Sequence, residues 1–174
     1  MSLLAVTVLG RDRPGIVADT TAALARLGGN LEDSTMTLLR GHFAMLLLVQ
    51  TPASVAEVEA ALASLAADGA LAVDVREVPD AGAPAAATAG APYVLSVHGA
   101  DRPGIVGGLT GVVAAAGGNV TDLSTRLTGD LYVLLAEVAL PAGTDVAALE
   151  QRLHAAAEQL GVDVSLRALD TDDL

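Results

Sequence analysis

The sequence predicts an α+β protein made of two copies of one βαββαβ module, each a four-stranded antiparallel sheet with two helices on one face. The first observation behind this prediction is an internal repeat. "DRPGIV" occurs at residues 12–17 and again at 101–106, and "GGN" at residues 28–30 recurs at 117–119 with the same offset. The second observation is that strand-like and helix-like apolar runs follow one order in both halves. The third is a segment without hydrophobic periodicity between them.

In the first module, residues 3–9 ("LLAVTVL") predict a strand that Gly10 closes. Pro14 fits the first turn of a helix that "GG" at 28–29 ends. Residues 30–39 are expected to be extended, residues 40–42 to form a tight connection, and "FAMLLLVQ" to form the next strand. A second helix and a strand at 71–78 complete the module. The apolar positions of the two helices are Ile16, Thr20, Leu24 and Leu27, and Val55, Val58, Leu62 and Leu65.

The second module repeats this order with strands at 93–99, 119–128, 131–140 and 163–169. Its helices are expected to place Val106, Val113 and Ala116, and then Val146, Leu149, Leu153 and Leu160, on their apolar faces. Both modules are therefore predicted to be ferredoxin-like. The expected boundaries are a first domain at 1–78, a Pro/Ala/Gly-rich linker at 79–92, a second domain at 93–169 and an acidic tail at 170–174.

The third strand of each module is apolar almost throughout, whereas a strand with one wet face should alternate. Because the helices cover only one face of a sheet, the other face is expected to meet a second sheet or a second chain. This predicts domain pairing, dimerisation or both. The alternative is that these strands are central and simply very hydrophobic.

The composition excludes several classes of function. The chain has 174 residues, no cysteine and nine basic residues, all arginine. Thiolate metal sites, disulfides, cysteine nucleophiles, Walker phosphate loops and Schiff bases are therefore excluded. The formal charge of −12 opposes binding to the phosphate backbone of nucleic acid. The first apolar run is too short for a membrane span. We expect a cytoplasmic protein without cofactor or metal.

The repeated loop suits an anionic ligand group. A strand followed by Asp-Arg-Pro-Gly and a helix directs the first free N–H groups of that helix outward, where the helix dipole favours a carboxylate. Asp12 and Asp101 could accept hydrogen bonds from a ligand amino group, and the glycines allow close approach. The alternative is structural: Asp caps a helix, Pro-Gly makes a turn and Gly-Gly-Asn stops the helix.

"DRPGIV" followed by "GGN" resembles the first half of an ACT domain, a family of small amino-acid-sensing modules, in both halves of the chain. Residues 30–49, "NLEDSTMTLLRGHFAMLLLV", further resemble the glycine cleavage system transcriptional repressor family. The resemblance implies an effector at an interface between two domains, near the first loop and the start of the second strand. The implied ligand-binding residues are Asp12, Arg13, Gly15, Ile16, Asn30 and Leu31, and Asp101, Arg102, Gly104, Ile105, Asn119, Val120 and the neighbouring His98.

The two sites need not be equal, since Arg11 is replaced by Ala100 and Leu9 by His98. Enzymes also carry ACT modules, but no catalytic domain remains once both modules are assigned. The spacing of the three histidines argues against a metal pair, so each is expected to be an ordinary surface or core residue. His98 is the exception, because it stands next to the second loop.

The sequence therefore predicts a non-enzymatic, amino-acid-responsive regulatory protein that is a homodimer. The resemblance implies control of transcription of glycine cleavage through contact with an activator, with glycine or serine as effector. One alternative is a stand-alone subunit that gives feedback control of a metabolic enzyme. Another is a pairing module that binds no ligand.

Overall fold

The computed structural model describes residues 1–79 and 90–169. The chain divides into two compact units, residues 1–81 and 82–174, and each described unit is an antiparallel sheet with helices packed on one face. The α+β class and the βαββαβ order are confirmed. Most of the expected linker and the whole acidic tail lie outside the described residues.

The first unit contains β1 (Ser2–Arg11), α1 (Ile16–Arg26), β2 (Asn30–Leu39), β3 (His42–Thr51), α2 (Val55–Leu62), a 3₁₀ turn (Ala63–Leu65) and β4 (Leu71–Glu77). Its strand order is β2-β3-β1-β4. The second unit contains β5 (Ala91–Ala100), α3 (Ile105–Ala115), β6 (Asn119–Thr128), β7 (Leu131–Leu140), α4 (Val146–Leu160) and β8 (Val162–Ala168). Its strand order, β6-β7-β5-β8, is the same arrangement.

β1 and β5 extend beyond the strands that the sequence predicts. β1 continues through Gly10, which pairs with Phe43 on one side and Leu71 on the other. Glycine is needed there because a Cβ would collide with the carbonyl oxygen of Ala70. β5 begins at Ala91, within the expected linker, because Ala91 already pairs with Leu140. Pairing with a neighbouring strand, which a local pattern does not reveal, extends both elements.

The helices of both units bury one face, but the expected face of α3 is partly wrong. In α1, Ile16, Thr20 and Leu24 are buried as predicted. In α3 the buried residues are Ile105, Leu109 and Val113, whereas Val106 is 36% exposed. Ile105, the repeat equivalent of Ile16, begins the helix and faces the sheet. Val106 consequently lies about 100° round the helix, towards solvent.

The repeated Gly-Gly pair ends α1 and α3 with the same hydrogen bonds. The Gly29 N–H donates to the Leu24 carbonyl at 2.9 Å and the Gly28 N–H donates to the Ala25 carbonyl at 3.0 Å, which is a Schellman motif. Gly28 takes the required left-handed backbone with φ 69°. Asn30 is extended and begins β2 directly after this helix stop.

α2 begins with a helix cap that was not predicted from the sequence. The Ser54 hydroxyl accepts from the Glu57 N–H at 3.4 Å, and the Glu57 carboxylate accepts from the Ser54 N–H at 2.8 Å, forming a capping box for α2. The hydrogen bond from the Ser54 backbone, followed by that from its hydroxyl, holds the pKa of Glu57 below its ordinary value. The spacing Ser-x-x-Glu before an apolar run is the signal that could have predicted it.

A tight hairpin joins β2 to β3, as expected. Arg40 and Gly41 both have positive φ, 50° and 82°, between the paired residues Leu39 and His42. These values fit a two-residue type I′ turn. In the described part of the chain, no helix has both the length and the apolar character needed to cross a membrane.

Candidate functional site

The loop between β1 and α1 is built in the same way as the loop between β5 and α3. Gly15 and Gly104 occupy the N-cap positions with φ 93° and 94°, a conformation that a side chain strains. A Cβ on Gly15 would meet only the Asp19 carboxylate at 3.5 Å, an ordinary contact. The glycines are therefore explained by backbone conformation, without any close approach of a ligand. Pro14 precedes α1 instead of lying in its first turn.

The aspartates of the two loops are exposed and do not cap the helices. Neither α1 nor α3 has a side-chain hydrogen bond at its N-cap in the described structure. The Asp12 backbone N–H donates to the Gly41 carbonyl at 3.1 Å, which ties the loop to the β2–β3 hairpin and leaves its carboxylate at the surface. The capping role considered for these aspartates is thus wrong.

The two arginines of the motif turn towards helices of their own units. The Arg102 guanidinium lies 3.5 Å from the Leu160 carbonyl oxygen, to which it donates at the C-terminal end of α4. Arg13 lies 3.6 Å from the Asp19 carboxylate. It borders a polar groove of about 220 Å³ between α1 and the end of α2. Arg102 therefore has a structural contact in its own unit that the described contacts of Arg13 do not repeat.

The isoleucines that follow the loops belong to the cores. Ile16 and Ile105 are each 2% exposed and pack among the strands and helices of their own units. Their side chains are therefore not available to a ligand. Only the backbone N–H groups of these two residues could still contact one. Each group lies in the first turn of a helix, where it has no acceptor within the helix.

The structure does not bring Asn30 to the loop of its own unit. Asn30 pairs with Gln50 at one end of β3, whereas Arg11, which leads into the loop, pairs with His42 at the other end. These eight steps along β3 correspond to about 26 Å at ~3.3 Å per residue. Asn119 occupies the same position in the second unit, where it pairs with Ala139. Leu31 and Val120 follow these asparagines and share their distant location. One small amino acid cannot touch both ends of a unit.

The histidines have separate surroundings. His98 lies on the sheet face opposite the helices of its unit, and its Nε2 is 3.5 Å from an Asp163 carboxylate oxygen. His154 places its Nδ1 2.8 Å from the Glu150 carbonyl oxygen, one helical turn earlier. Among the residues that the structure describes, no group of three His, Asp or Glu side chains could hold a metal ion.

Comparison with known proteins assigns both units to one family. The sequence model of the ACT domain matches residues 2–76 and again residues 92–167. The chain belongs to the ACT domain family. Both the loops and the strand starts described above fall within these two ACT domains.

This ACT domain protein is similar to proteins and solved structures from other organisms. A UPF0237 protein of Methanopyrus kandleri is 41% identical over 78 residues, which cover 44% of this chain and 87% of that protein. A solved structure described as an unknown protein from Galdieria sulphuraria has a TM-score of 0.78 and 31% identity, covering 97% of this chain and 98% of that one.

A second solved structure is described as a candidate glycine cleavage system transcriptional repressor. It has a TM-score of 0.72 and covers 97% of both chains, but at 22% identity it shows the shared fold alone. The family assignment itself establishes this tandem ACT protein as a regulatory protein and not an enzyme.

Proposed function

We propose that this protein senses a small free amino acid through the loops that precede α1 and α3. The observation that carries the proposal is the pair of exposed aspartates, Asp12 and Asp101. The fold accounts for several residues of the repeated motif: the glycines supply left-handed N-caps and the isoleucines fill the cores in both units, and in the second unit Arg102 binds the end of a helix. It does not account for a carboxylate kept at the same exposed position in both loops.

The chemistry of each loop matches both ends of an amino acid. The first N–H groups of α1 and α3 can donate to a ligand carboxylate, since helix N-termini bind anions. Asp12 or Asp101 can accept hydrogen bonds from the ligand ammonium group. The net charge of −12 disfavours an acidic side chain, and the resemblance to the glycine cleavage repressor family favours a small uncharged one. Glycine and serine are the effectors we propose to test first.

The asparagine must come from a partner ACT domain. Because Asn30 lies about 26 Å from the loop of its own unit at ~3.3 Å per residue, it can contribute only to the loop of a second ACT domain. Two ACT domains that lie side by side in opposite directions would bring the two together. Both sheets end in a long edge strand, β2 or β6, whose backbone groups are free on one side. We propose that a ligand held between a loop and a partner's asparagine stabilises this pairing.

The output of such a sensor is a change in protein contact. Ligand binding shifts the balance between paired and unpaired domains only by the difference in its affinity for the two arrangements. We propose that the protein acts in the cytoplasm on a transcription activator of glycine cleavage. If the partner proves to be a metabolic enzyme, the chain is its regulatory subunit, and the same amino-acid site serves it.

The test is a thermal-shift screen of the full chain against all twenty amino acids at millimolar concentration. A ligand that binds only the folded state raises the unfolding midpoint. We expect a selective rise with a small uncharged amino acid, lost in Asp12→Ala, Asp101→Ala or both. Asn30→Ala and Asn119→Ala test the contribution of the strand starts.

Glu59→Ala is the matched control, because it removes one exposed carboxylate from α2, which is part of neither loop. It should leave the ligand-induced shift unchanged. No shift with any amino acid would overturn the sensor proposal and leave a module that only pairs. A shift that persists in both aspartate variants would show that the ligand binds elsewhere.

A further inference from the structure

The sheet of the first unit has an open face, which we define as the side of its four strands opposite α1 and α2. β3 buries Phe43, Met45, Leu47 and Val49 against the helices and turns the alternate side chains to the open face. Leu46 and Leu9 are 41% and 56% exposed on that face. They line a shallow, almost wholly apolar groove of about 380 Å³ together with Thr7, Thr35, Thr37 and Ala44.

The pairing register arranges the open face in rows. One row runs Asp33, Leu48, Ala5 and Arg76 across β2, β3, β1 and β4. It begins with an acid at the β2 edge and ends with a base at the β4 edge. Arg76 also lies 2.7 Å from Asp74 on its own strand, and this hydrogen bond raises its pKa, so that the guanidinium stays charged.

The next two rows of the open face are apolar or uncharged apart from Asp74. They run Thr35, Leu46, Thr7 and Asp74, and then Thr37, Ala44, Leu9 and Ala72. An exposed apolar centre with charges confined to its edges is typical of a protein interaction surface.

The corresponding face of the second unit is different in character. Its third row runs Arg126, Val133, His98 and Asp163, where the first unit has Thr37, Ala44, Leu9 and Ala72. In the first row, Glu137 stands where the first unit has Leu48. These groups lie in the two rows on either side of the uncharged row of Ser124, Leu135, Ser96 and Ser165. They make the second face a poorer surface for apolar packing, because charges lose hydration when they are buried without partners.

We propose that two copies of this chain associate through the open faces of their first units, with a twofold axis parallel to the strands between the two sheets. Such an axis places β2 of each copy over β4 of the other. Because positions along the strands do not change, each row of one face lies opposite the same row of the other. Asp33 of one copy then faces Arg76 of its partner, twice per assembly. Leu46 packs over Thr7 and Ala44 over Leu9, near the middle of the interface.

The size of the face sets the expected affinity. Four strands of about seven residues form a surface of roughly 19 Å by 23 Å, from ~4.8 Å between strands and ~3.3 Å per residue. Two such faces bury roughly 900 Å² together, less than a standard stable interface. We therefore expect reversible association with a dissociation constant in the micromolar range.

Analytical ultracentrifugation of the full chain from 1 to 200 µM, without amino acid, tests this inference. Leu46→Glu should halve the assembly mass of the wild type at the upper concentrations. Leu135→Glu, at the equivalent row position of the second unit, is the matched control and should leave the mass unchanged. Both side chains are exposed, and circular dichroism verifies that both variants fold.

A charge exchange tests the register independently of apolar packing. Asp33→Arg and Arg76→Asp each place like charges opposite one another and should raise the dissociation constant at least tenfold, whereas the double variant should restore most of the affinity. Asp122→Arg with Arg167→Asp is the corresponding control in the second unit.

A wild-type monomer at 200 µM, or an assembly that survives Leu46→Glu, would overturn the inference. Equal effects of Leu46→Glu and Leu135→Glu, or failure of the double variant to restore association, would do the same. The amino-acid thermal shift in Leu46→Glu separates the two proposals. Its retention is expected, because the loops and the strand starts lie outside the apolar centre of the open face.

Discussion

Replacing glycines at the start of α3 and within it should have opposite effects on stability. The three glycines concerned are all exposed: Gly104, Gly107 and Gly111. Gly104 has φ 94° at the N-cap, a left-handed conformation that costs an L-residue about 1–2 kcal/mol. Gly107 and Gly111 lie within the helix, and a Cβ on either would meet nothing within 4 Å. Replacing an unhindered helical glycine by alanine stabilises by roughly 0.5–1 kcal/mol.

Gly104→Ala should therefore lower the unfolding midpoint of its unit, whereas Gly107→Ala and Gly111→Ala should raise it. One kcal/mol corresponds to about 4–8 °C for a domain of this size. We expect a fall of roughly 5–15 °C for the first variant and a rise of roughly 2–8 °C for each of the others. Thermal unfolding of the full chain, followed by circular dichroism at 222 nm, measures all three.

Gly104→Asn provides a control for the cause. Asparagine tolerates the left-handed region better than alanine, so it should be less destabilising than Gly104→Ala at the same position. If Gly104→Ala left the midpoint unchanged, or shifted it in the same direction as Gly111→Ala, the explanation of the repeated glycine by backbone conformation would be refuted.

Three further predictions concern the helices. Ile105→Ala should cost about 2–5 kcal/mol in urea unfolding because Ile105 is buried, whereas Val106→Ala should cost no more than about 0.5 kcal/mol; equal costs would contradict the observed face of α3. Ser54→Ala should lose about 1 kcal/mol of cap stability. The pKa of Glu57 is lowered in the folded chain, so the stabilisation by its carboxylate is present above the ordinary pKa of 4.5 and is lost as the pH falls through the folded pKa. The unfolding free energy of Glu57→Gln should therefore differ from that of the wild type at pH 7 but not at pH 2. Arg102→Ala should destabilise the chain without ligand, which denaturation in the absence of amino acids would detect; an effect confined to ligand binding would return Arg102 to the binding site.

The sequence by itself determined the repeat, the type and order of the elements and the ends of α1 and α3. These features depend on local chemistry: helical and strand periods, a glycine that can take positive φ and a two-residue turn. The resemblance of the two motifs to ACT domains gave the family and its regulatory role.

Only the tertiary structure decided which residues of the motif remain at the surface. Arg102 reaches the end of α4, 58 positions along the chain, and the helix start at Ile105 turns Val106 towards solvent. Local patterns carry no information about such a distant carbonyl, and they fix the start of a helix only to within a few residues.

The candidate site shows the same division. The motif spacing correctly marked Asp12 and Asn30 as the starts of a loop and of a strand, but strand pairing places them at opposite ends of one unit. The register likewise sets Asp33 and Arg76 in a single row across the open face, although they belong to different strands. Sequence separation does not specify these positions, because they follow from hydrogen bonds between strands that are distant along the chain.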